Sequence, residues 1–319
     1  IIVMHMPLIP RRIKLSAAAL LLLPLGLVGC TSNTEDASPS GPAASAPACP
    51  ITPIKVVVSV DQWGDIVSEL GGKCTEVKTI LASSSVDPHD YEPSPADGAA
   101  FTDAQLVVVN GADYDSWASK LAASSGTKAP TVDAAKVTNT AEGANPHLWY
   151  SPTAVTAVAD AVTAELTKID SKGAEYFATQ RQSFNTSMAP YNDLITKIKA
   201  GATGKTYGAT EGVFDYMAQA VGLMDKTPAG FRAAAAAESD PSPGDITAFT
   251  SALAGKQINV LIYNSQTEGS IPAQIRSAAE SAGVPVVEVT ETVPPGQDSF
   301  AAWQVAQLTA LAKALGVQV

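Results

Sequence analysis

The 319-residue sequence is poor in cysteine and histidine, with only three of each. Its 20 lysines and arginines are outnumbered by 31 aspartates and glutamates. This acidic balance argues against nucleic-acid binding and against adhesion to a membrane through a basic patch. The sequence also lacks a His-Glu-x-x-His helix, a Gly-x-Ser-x-Gly elbow and a phosphate-cradling glycine loop. These absences disfavour an enzyme.

No apolar run is long enough to span a bilayer, which needs roughly 20 residues. The run from Leu15 to Leu27 is shorter and follows three basic residues, Arg11, Arg12 and Lys14. This order is typical of a secretory leader. Met4 and Met6 are both candidate initiators.

The leader ends in Leu-Val-Gly-Cys, which resembles the lipobox of bacterial lipoproteins. Residues 1–29 are therefore predicted to be the signal peptide, and Cys30 the site of lipid attachment. Residues 31–50 contain no large apolar side chain and cannot offset their own ordering entropy. We expect residues 30–53 to form a lipidated tether. Loss of the leader removes three positive charges and no acids, which moves the formal charge from −11 to −14.

Cys49 and Cys74 are the cysteines that remain beside the predicted lipid-bearing one. An even pair in an oxidising compartment most simply forms a disulfide, and two free thiols are the alternative. Each cysteine stands just before a predicted strand, and neighbouring parallel strands would bring the two together. Such a bond would stabilise the fold by roughly 3 kcal/mol.

Short β-branched runs alternate with helical patterns along the rest of the chain. This alternation predicts an α/β fold with two lobes, each built on a mainly parallel sheet of about four strands. We assign residues 54–172 to the first lobe, 173–200 to one long connecting helix kinked at Pro190, and 201–319 to the second lobe. Predicted strands lie at 55–60, 76–81, 106–109, 131–133, 206–210, 259–263 and 286–289; predicted helices lie at 62–70, 97–102, 114–123, 152–169, 212–221, 245–253, 271–281 and 300–315.

Two of the three histidines lie in proline-led loops of the predicted first lobe. His89 is in Asp-Pro-His-Asp-Tyr-Glu-Pro-Ser-Pro, and His147 is in Asn-Pro-His-Leu-Trp. Proline fixes the preceding turn, and ligands of open α/β sheets bind beyond the carboxyl ends of the strands. The two residues are therefore candidate metal ligands.

These two loops, together behind a lipobox, resemble the zinc- and manganese-binding lipoproteins of ABC importers, the cluster nine or A-I solute-binding proteins. The resemblance covers residues 54–319. It implies two (β/α) lobes bridged by a long helix, with the metal site in the cleft between them. It also implies two further ligands from the second lobe.

By that resemblance, Glu211 takes a position that is His or Glu in relatives, and Glu291 falls where relatives carry Asp. Asp298 competes with Glu291 for the fourth position. Two imidazoles and two carboxylates suit Mn²⁺, Fe²⁺ or Zn²⁺. The absence of a His-rich loop, and Glu rather than His at 211, favour Mn²⁺ over Zn²⁺ without deciding between them.

The resemblance implies a monomer that carries one divalent metal ion as transported ligand on the extracytoplasmic face of the cell membrane. Its partners would be an ABC permease and, through the lipid, the membrane. A metal-dependent hydrolase and a surface adhesin on the same scaffold are the alternative functions.

Overall fold

The computed structural model describes residues 48–82, 91–267 and 269–319. The predicted signal peptide, Cys30 and the ligand candidate His89 lie outside the described residues. From residue 48 onward the described chain forms one compact unit. Within that part of the chain, no helix has the length and apolar character needed to cross a membrane.

The first sheet consists of parallel strands β1 (Ile54–Val60), β2 (Thr75–Leu81), β3 (Leu106–Val109) and β4 (Thr131–Asp133). Their order is β2-β1-β3-β4, which places β1 and β3 at the centre. Nearly every residue of these two strands is buried. Continuous Val-rich runs form such strands because helices cover both faces of a parallel sheet.

The helices of this half are α1 (Asp61–Gly71), α2 (Pro95–Thr102), α3 (Ser116–Ser124), α4 (Ala134–Thr138) and α5 (Pro152–Ile169). Serine caps the amino ends of α2 and α5, with proline at the first helical position of each. The serine oxygen accepts an otherwise unpaired backbone N–H, and proline has no N–H to leave unpaired.

The second sheet repeats the topology of the first. Its strands are β5 (Thr206–Ala209), β6 (Met224–Asp225), β7 (Val260–Asn264) and β8 (Val286–Val289), all parallel and in the order β6-β5-β7-β8. The predicted fold class of two parallel-sheet lobes is confirmed. Strand β6 was not predicted because it has only two residues and no apolar run.

The helices of the second half are α8 (Asp215–Ala220), α9 (Ala229–Ala236), α10 (Pro243–Ala254), α11 (Ser270–Ser281) and α12 (Phe300–Leu315). Neither α4 nor α9 was predicted. Helix α4 has only five residues, and α9 buries Phe231 alone, so neither shows the apolar stripe that identifies a helix in a sequence.

The connecting segment is helical on both sides of Met188, as α6 (Ala174–Ser187) and α7 (Ala189–Gly201). Pro190 stands in the first turn of α7, where its missing N–H leaves no hydrogen bond unmade. Helix α6 packs on α1 and α5 of the first half, and α7 packs on α12. The segment therefore runs along both halves.

Buried apolar side chains from both sheets belong to one continuous core. A smaller core around Phe249 and Leu253 lies where α9, α10 and α11 pack on the second sheet. The shared core holds the two sheets together, which agrees with the single compact unit.

Cys49 and Cys74 form a disulfide, with their Cα atoms 5.2 Å apart. The predicted bond is confirmed. Cys74 directly precedes β2, and the first residue of β1, Ile54, pairs with Thr75. The bond therefore lies at the amino ends of these strands.

Asp61, the first residue of α1, has a carboxylate whose ionised form destabilises the folded protein. Its Oδ1 atom is buried and has no hydrogen-bond partner within the described ranges. Burial raises the pKa of Asp61 to about 7, although the backbone N–H of Val293 opposes the shift, and neighbouring Asp65 adds to it. The folded protein therefore loses stability as the pH rises from about 4 to about 7, because the carboxylate must ionise inside the protein.

Asp61→Asn is expected to flatten this part of the pH profile. Above pH 7 the variant should exceed the wild type by about 2 kcal/mol in free energy of unfolding, since the amide carries no charge at any pH. Urea unfolding at pH 5 and pH 8 measures the difference. Asp103→Asn is the control, because the Asp103 side chain is 77% exposed. A difference between wild type and Asp61→Asn that is equal at both pH values would contradict the prediction.

Candidate metal-binding site

His147 is presented by the loop that joins α4 to α5. Its side chain is buried, and Asn145 determines its orientation. The Asn145 Oδ1 atom accepts the backbone N–H of His147 at 3.0 Å and lies 2.7 Å from the imidazole Nδ1. Because this oxygen acts as an acceptor, Nδ1 carries the hydrogen and donates it. The other ring nitrogen, Nε2, is then an acceptor with a lone pair that could bind a metal ion.

One residue separates Glu211 from the end of β5, and two hydrogen-bond donors hold the Glu211 carboxylate. Asn264, the last residue of β7, donates its Nδ2–H to Glu211 Oε2 at 2.9 Å. The Thr267 hydroxyl donates to the same oxygen. The next strand in the sheet therefore fixes this carboxylate.

Glu291 follows β8, on the other side of β7. Asn264 Nδ2 also donates to Glu291 Oε1 at 2.9 Å, so one amide group lies between the two carboxylates. Tyr114 donates its hydroxyl to Glu291 Oε2 at 3.3 Å, and the Gln62 amide donates to the backbone oxygen of Glu291 at 2.7 Å. Both of these donors come from the first half of the chain.

Tyr114 is held by an unusual turn after β3. Gly111, Ala112 and Asp113 all have positive φ, although only glycine adopts this conformation without strain. The Asp115 carboxylate accepts the backbone N–H groups of Asn110 and Gly111 and so stabilises the turn. Burial, with the nearby charge of Glu291, raises the pKa of Tyr114 far above its ordinary value, so this phenol remains a hydrogen-bond donor.

His147, Glu211 and Glu291 each place a ligand atom within 4.8 Å of the other two. Nε2 of His147 lies 3.6 Å from Oε2 of Glu291, a separation that suits two ligands sharing one ion with bonds of about 2.0–2.2 Å. This nitrogen is buried and has no hydrogen-bond partner among the residues that the structure describes. Buried polar atoms are rarely left unpaired, and the arrangement suits a metal ion bound between the three side chains.

The electrostatics of the cluster also favour a cation. Burial raises the pKa of Glu211, and the charge of Glu291 raises it further, while His147 opposes the shift. Two neighbouring carboxylates repel each other when both are ionised, and a divalent ion at the same place relieves that repulsion.

Aromatic rings close one side of the cluster. Tyr114 and Trp149 contact the His147 ring edge to face, with centroids 6.1 and 5.3 Å away. On the other side a cavity of about 560 Å³ is lined by all three cluster residues. Farther out in its wall, Arg232 pairs with Asp215 at 3.3 Å and with Asp225 at 2.5 Å.

Comparison with known proteins assigns the chain to a family. The family model for zinc-uptake complex component A, periplasmic (ZnuA), matches residues 56–314. The chain belongs to the ZnuA family.

Curated relatives of the chain include two metal-binding proteins. It is 25% identical over 179 residues to the manganese-binding lipoprotein MntA of Halalkalibacterium halodurans, covering 53% of this chain and 58% of the relative. It is 28% identical over 170 residues to the high-affinity zinc uptake system protein ZnuA of Bacillus subtilis, covering 47% and 53%. The chain thus spans little more than half the length of these relatives.

Solved structures support the fold. A mutant structure of the laminin-binding adhesin Lmb from Streptococcus agalactiae superposes with a TM-score of 0.68 at 22% identity, covering 82% of this chain and 99% of the adhesin. Similarity at this level of identity shows that the two proteins share a fold.

The structure brings together three of the residues that were singled out in the sequence, namely His147, Glu211 and Glu291. His89 lies outside the described residues. Asp298 is exposed and does not belong to the cluster.

The polar residues that hold these ligands were not predicted. They include Asn145, Asn264, Gln62 and Tyr114. Asn264 ends a buried strand, and Asn145 lies two residues before His147, so their positions offered a signal. Gln62 and Tyr114 lie in predicted helices, and nothing in their local sequence indicates their contacts.

Proposed function

We propose that this ZnuA-family protein is an extracytoplasmic solute-binding lipoprotein that captures one divalent transition-metal ion and delivers it to an ABC import permease. The observation that carries this proposal is the buried Nε2 of His147, which lies beside Glu211 and Glu291 and has no hydrogen-bond partner in the described part of the chain. A neutral imidazole with two carboxylates forms a donor set suited to Mn²⁺ or Zn²⁺.

The full ligand set in this proposal is His89, His147, Glu211 and Glu291. His89 enters through its Asp-Pro-His motif. Glu291 is preferred to Asp298 because its carboxylate already lies beside the other two ligands, whereas Asp298 is exposed.

The location of the protein is the finer part of the proposal. Cys30 would carry the lipid, and the tether after it would keep the metal-binding unit close to its permease. The unit would act as a monomer. Similarity to the manganese-binding lipoprotein MntA supports the lipid anchor.

Neither alternative function is supported to the same degree. The adhesin Lmb shares the fold, and its function belongs to that protein. The ZnuA family consists of binding components of metal uptake systems, and the described residues present no feature that favours hydrolysis.

A competition titration of Mn²⁺ against Zn²⁺ tests both the metal and the fourth ligand. Glu291→Ala is expected to weaken binding of either ion by about a hundredfold, because a ligand is lost. Asp298→Ala should bind as the wild type does and is the matched control. Equal losses in both variants, or a loss in Asp298→Ala alone, would contradict this assignment. Affinity for Zn²⁺ should exceed that for Mn²⁺ in the purified protein, following the general order of divalent metals.

A further inference from the structure

Asn145 contacts both halves of the molecule. Its Oδ1 atom accepts two hydrogens from His147, one from the backbone at 3.0 Å and one from the imidazole Nδ1 at 2.7 Å. Its Nδ2 atom donates to the backbone oxygen of Gly212 at 2.6 Å. One amide group therefore joins His147 in the first half to the residue directly after Glu211 in the second.

A second hydrogen bond also links the two halves at Asn145. The Tyr216 hydroxyl, on α8, donates to the backbone oxygen of Asn145 at 2.8 Å. Helix α8 begins directly after the short helical turn that follows Glu211. Both bonds thus link the His147 loop to the segment that carries Glu211.

The sequence at 212 permits this close approach. A Cβ atom on Gly212 would lie 3.2 Å from Asn145 Nδ2 and 3.2 Å from an Asp215 carboxylate oxygen, which is tighter than ordinary contact. A larger residue would therefore push Asn145 away from the Gly212 carbonyl. The φ angle of Gly212 is not positive, so close approach, and not backbone conformation, explains glycine here.

We propose that Asn145 is a positioning residue that sets the separation between the metal ligands His147 and Glu211. The position of one ligand therefore depends on the position of the other. The proposal rests on the proposed function, because it requires these two residues to bind a metal. An asparagine suits this task. Its oxygen fixes the imidazole tautomer while its N–H group holds the second half, and no charge is added to an acidic site.

Three variants of the full chain test the proposal. Asn145→Ala removes the contacts to His147 and Gly212. Tyr216→Phe removes only the crossing bond from α8 and leaves the acceptor for Nδ1 in place. Asn192→Ala is the control, because it deletes the same amide from an exposed position on α7.

Mn²⁺ affinity and the visible absorption spectrum of the Co²⁺ complex are the two measurements. Asn145→Ala should raise the Kd for Mn²⁺ by about 10–100-fold, as is typical for the loss of a group that orients a ligand. It should also change the Co²⁺ spectrum, since the imidazole is no longer held. Tyr216→Phe should raise the Kd less and keep the wild-type spectrum. Asn192→Ala should change neither.

Thermal unfolding without metal separates positioning from folding. The unfolding temperature of Asn145→Ala should lie within about 3 °C of the wild-type value, so that lower stability does not explain weaker binding. Wild-type affinity and spectrum in Asn145→Ala would overturn this proposal alone. A wild-type chain that binds neither Mn²⁺ nor Co²⁺ would overturn the proposed function, and this proposal with it.

Discussion

His147→Ala is expected to remove most of the thermal stabilisation that Mn²⁺ or Zn²⁺ confers. A four-ligand structural zinc site contributes about 10–16 kcal/mol, or about 3 kcal/mol for each ligand. Losing one ligand should therefore weaken binding about a hundredfold or more. Metal at a hundred times the wild-type Kd stabilises the fold by about 2.7 kcal/mol, and the same concentration would give the variant only about 0.4 kcal/mol. The difference corresponds to about 5–9 °C in unfolding temperature.

Glu211→Gln should show the same loss of metal response without a loss of folding. Burial and the charge of Glu291 both raise the pKa of Glu211, so its ionised form is unfavourable inside the protein. A neutral glutamine still accepts the hydrogen bonds of Asn264 and Thr267. Without metal its unfolding temperature at pH 8 should be no lower than that of the wild type.

Glu288→Gln is the matched control for the variants His147→Ala and Glu211→Gln. Glu288 lies on β8, three residues before Glu291, but its carboxylate is half exposed and pairs with Arg276 at 2.7 Å. Scanning fluorimetry with and without metal should show a wild-type shift for this variant. Full metal shifts in His147→Ala and Glu211→Gln would remove the basis for the metal site.

The fold could be predicted because most of its strands and helices are recognisable from short segments of the sequence. Strands such as β3 are buried on both faces and read as uninterrupted Val-rich runs. Helix starts such as Ser94 and Ser151 are recognisable from serine followed by proline. Strand β6 is held by pairing with β5 and has no such pattern of its own.

The candidate ligands were partly predictable for a different reason. Glu211 and Glu291 each lie two residues beyond the end of a strand, and parallel strands bring such residues to the same edge. Their approach depends on Asn264 between them, and Asn264 was taken to lie beyond the end of its strand. A strand boundary that moves by one residue changes which side chain reaches the site.

The contacts across the two halves were beyond sequence reasoning. Gln62 and Glu291 are 229 residues apart, and a hydrogen bond between them leaves no periodic signal. Three of the donors that cross between the halves, Gln62, Asn145 and Tyr150, are neutral and reach backbone oxygens of the second half. Because these three donors bind backbone oxygens, they hold the loops without occupying the carboxylate oxygens that a cation would need.

Loss of the disulfide is expected to weaken the fold and leave the metal site intact. The bond between Cys49 and Cys74 closes a 25-residue separation, and Cys74 is fully buried. On the loop-entropy model the double variant Cys49→Ser with Cys74→Ser should lose roughly 3 kcal/mol. Its unfolding temperature should fall by about 6–12 °C. Chemical unfolding of oxidised wild type and of the double variant measures the change.

Metal binding by the double variant should match that of the wild type, because the bond lies at the amino ends of β1 and β2. The candidate ligands of the second half lie at the opposite, carboxyl ends of its strands, and His147 is close to them. The metal-induced gain in unfolding temperature should therefore persist on a lower baseline. The disulfide variant and Glu211→Gln would then show opposite behaviour, one with lost stability and kept binding, the other with kept stability and lost binding. A disulfide variant that loses its metal response while still folded would show that the strand ends are coupled through the sheet, contrary to this expectation.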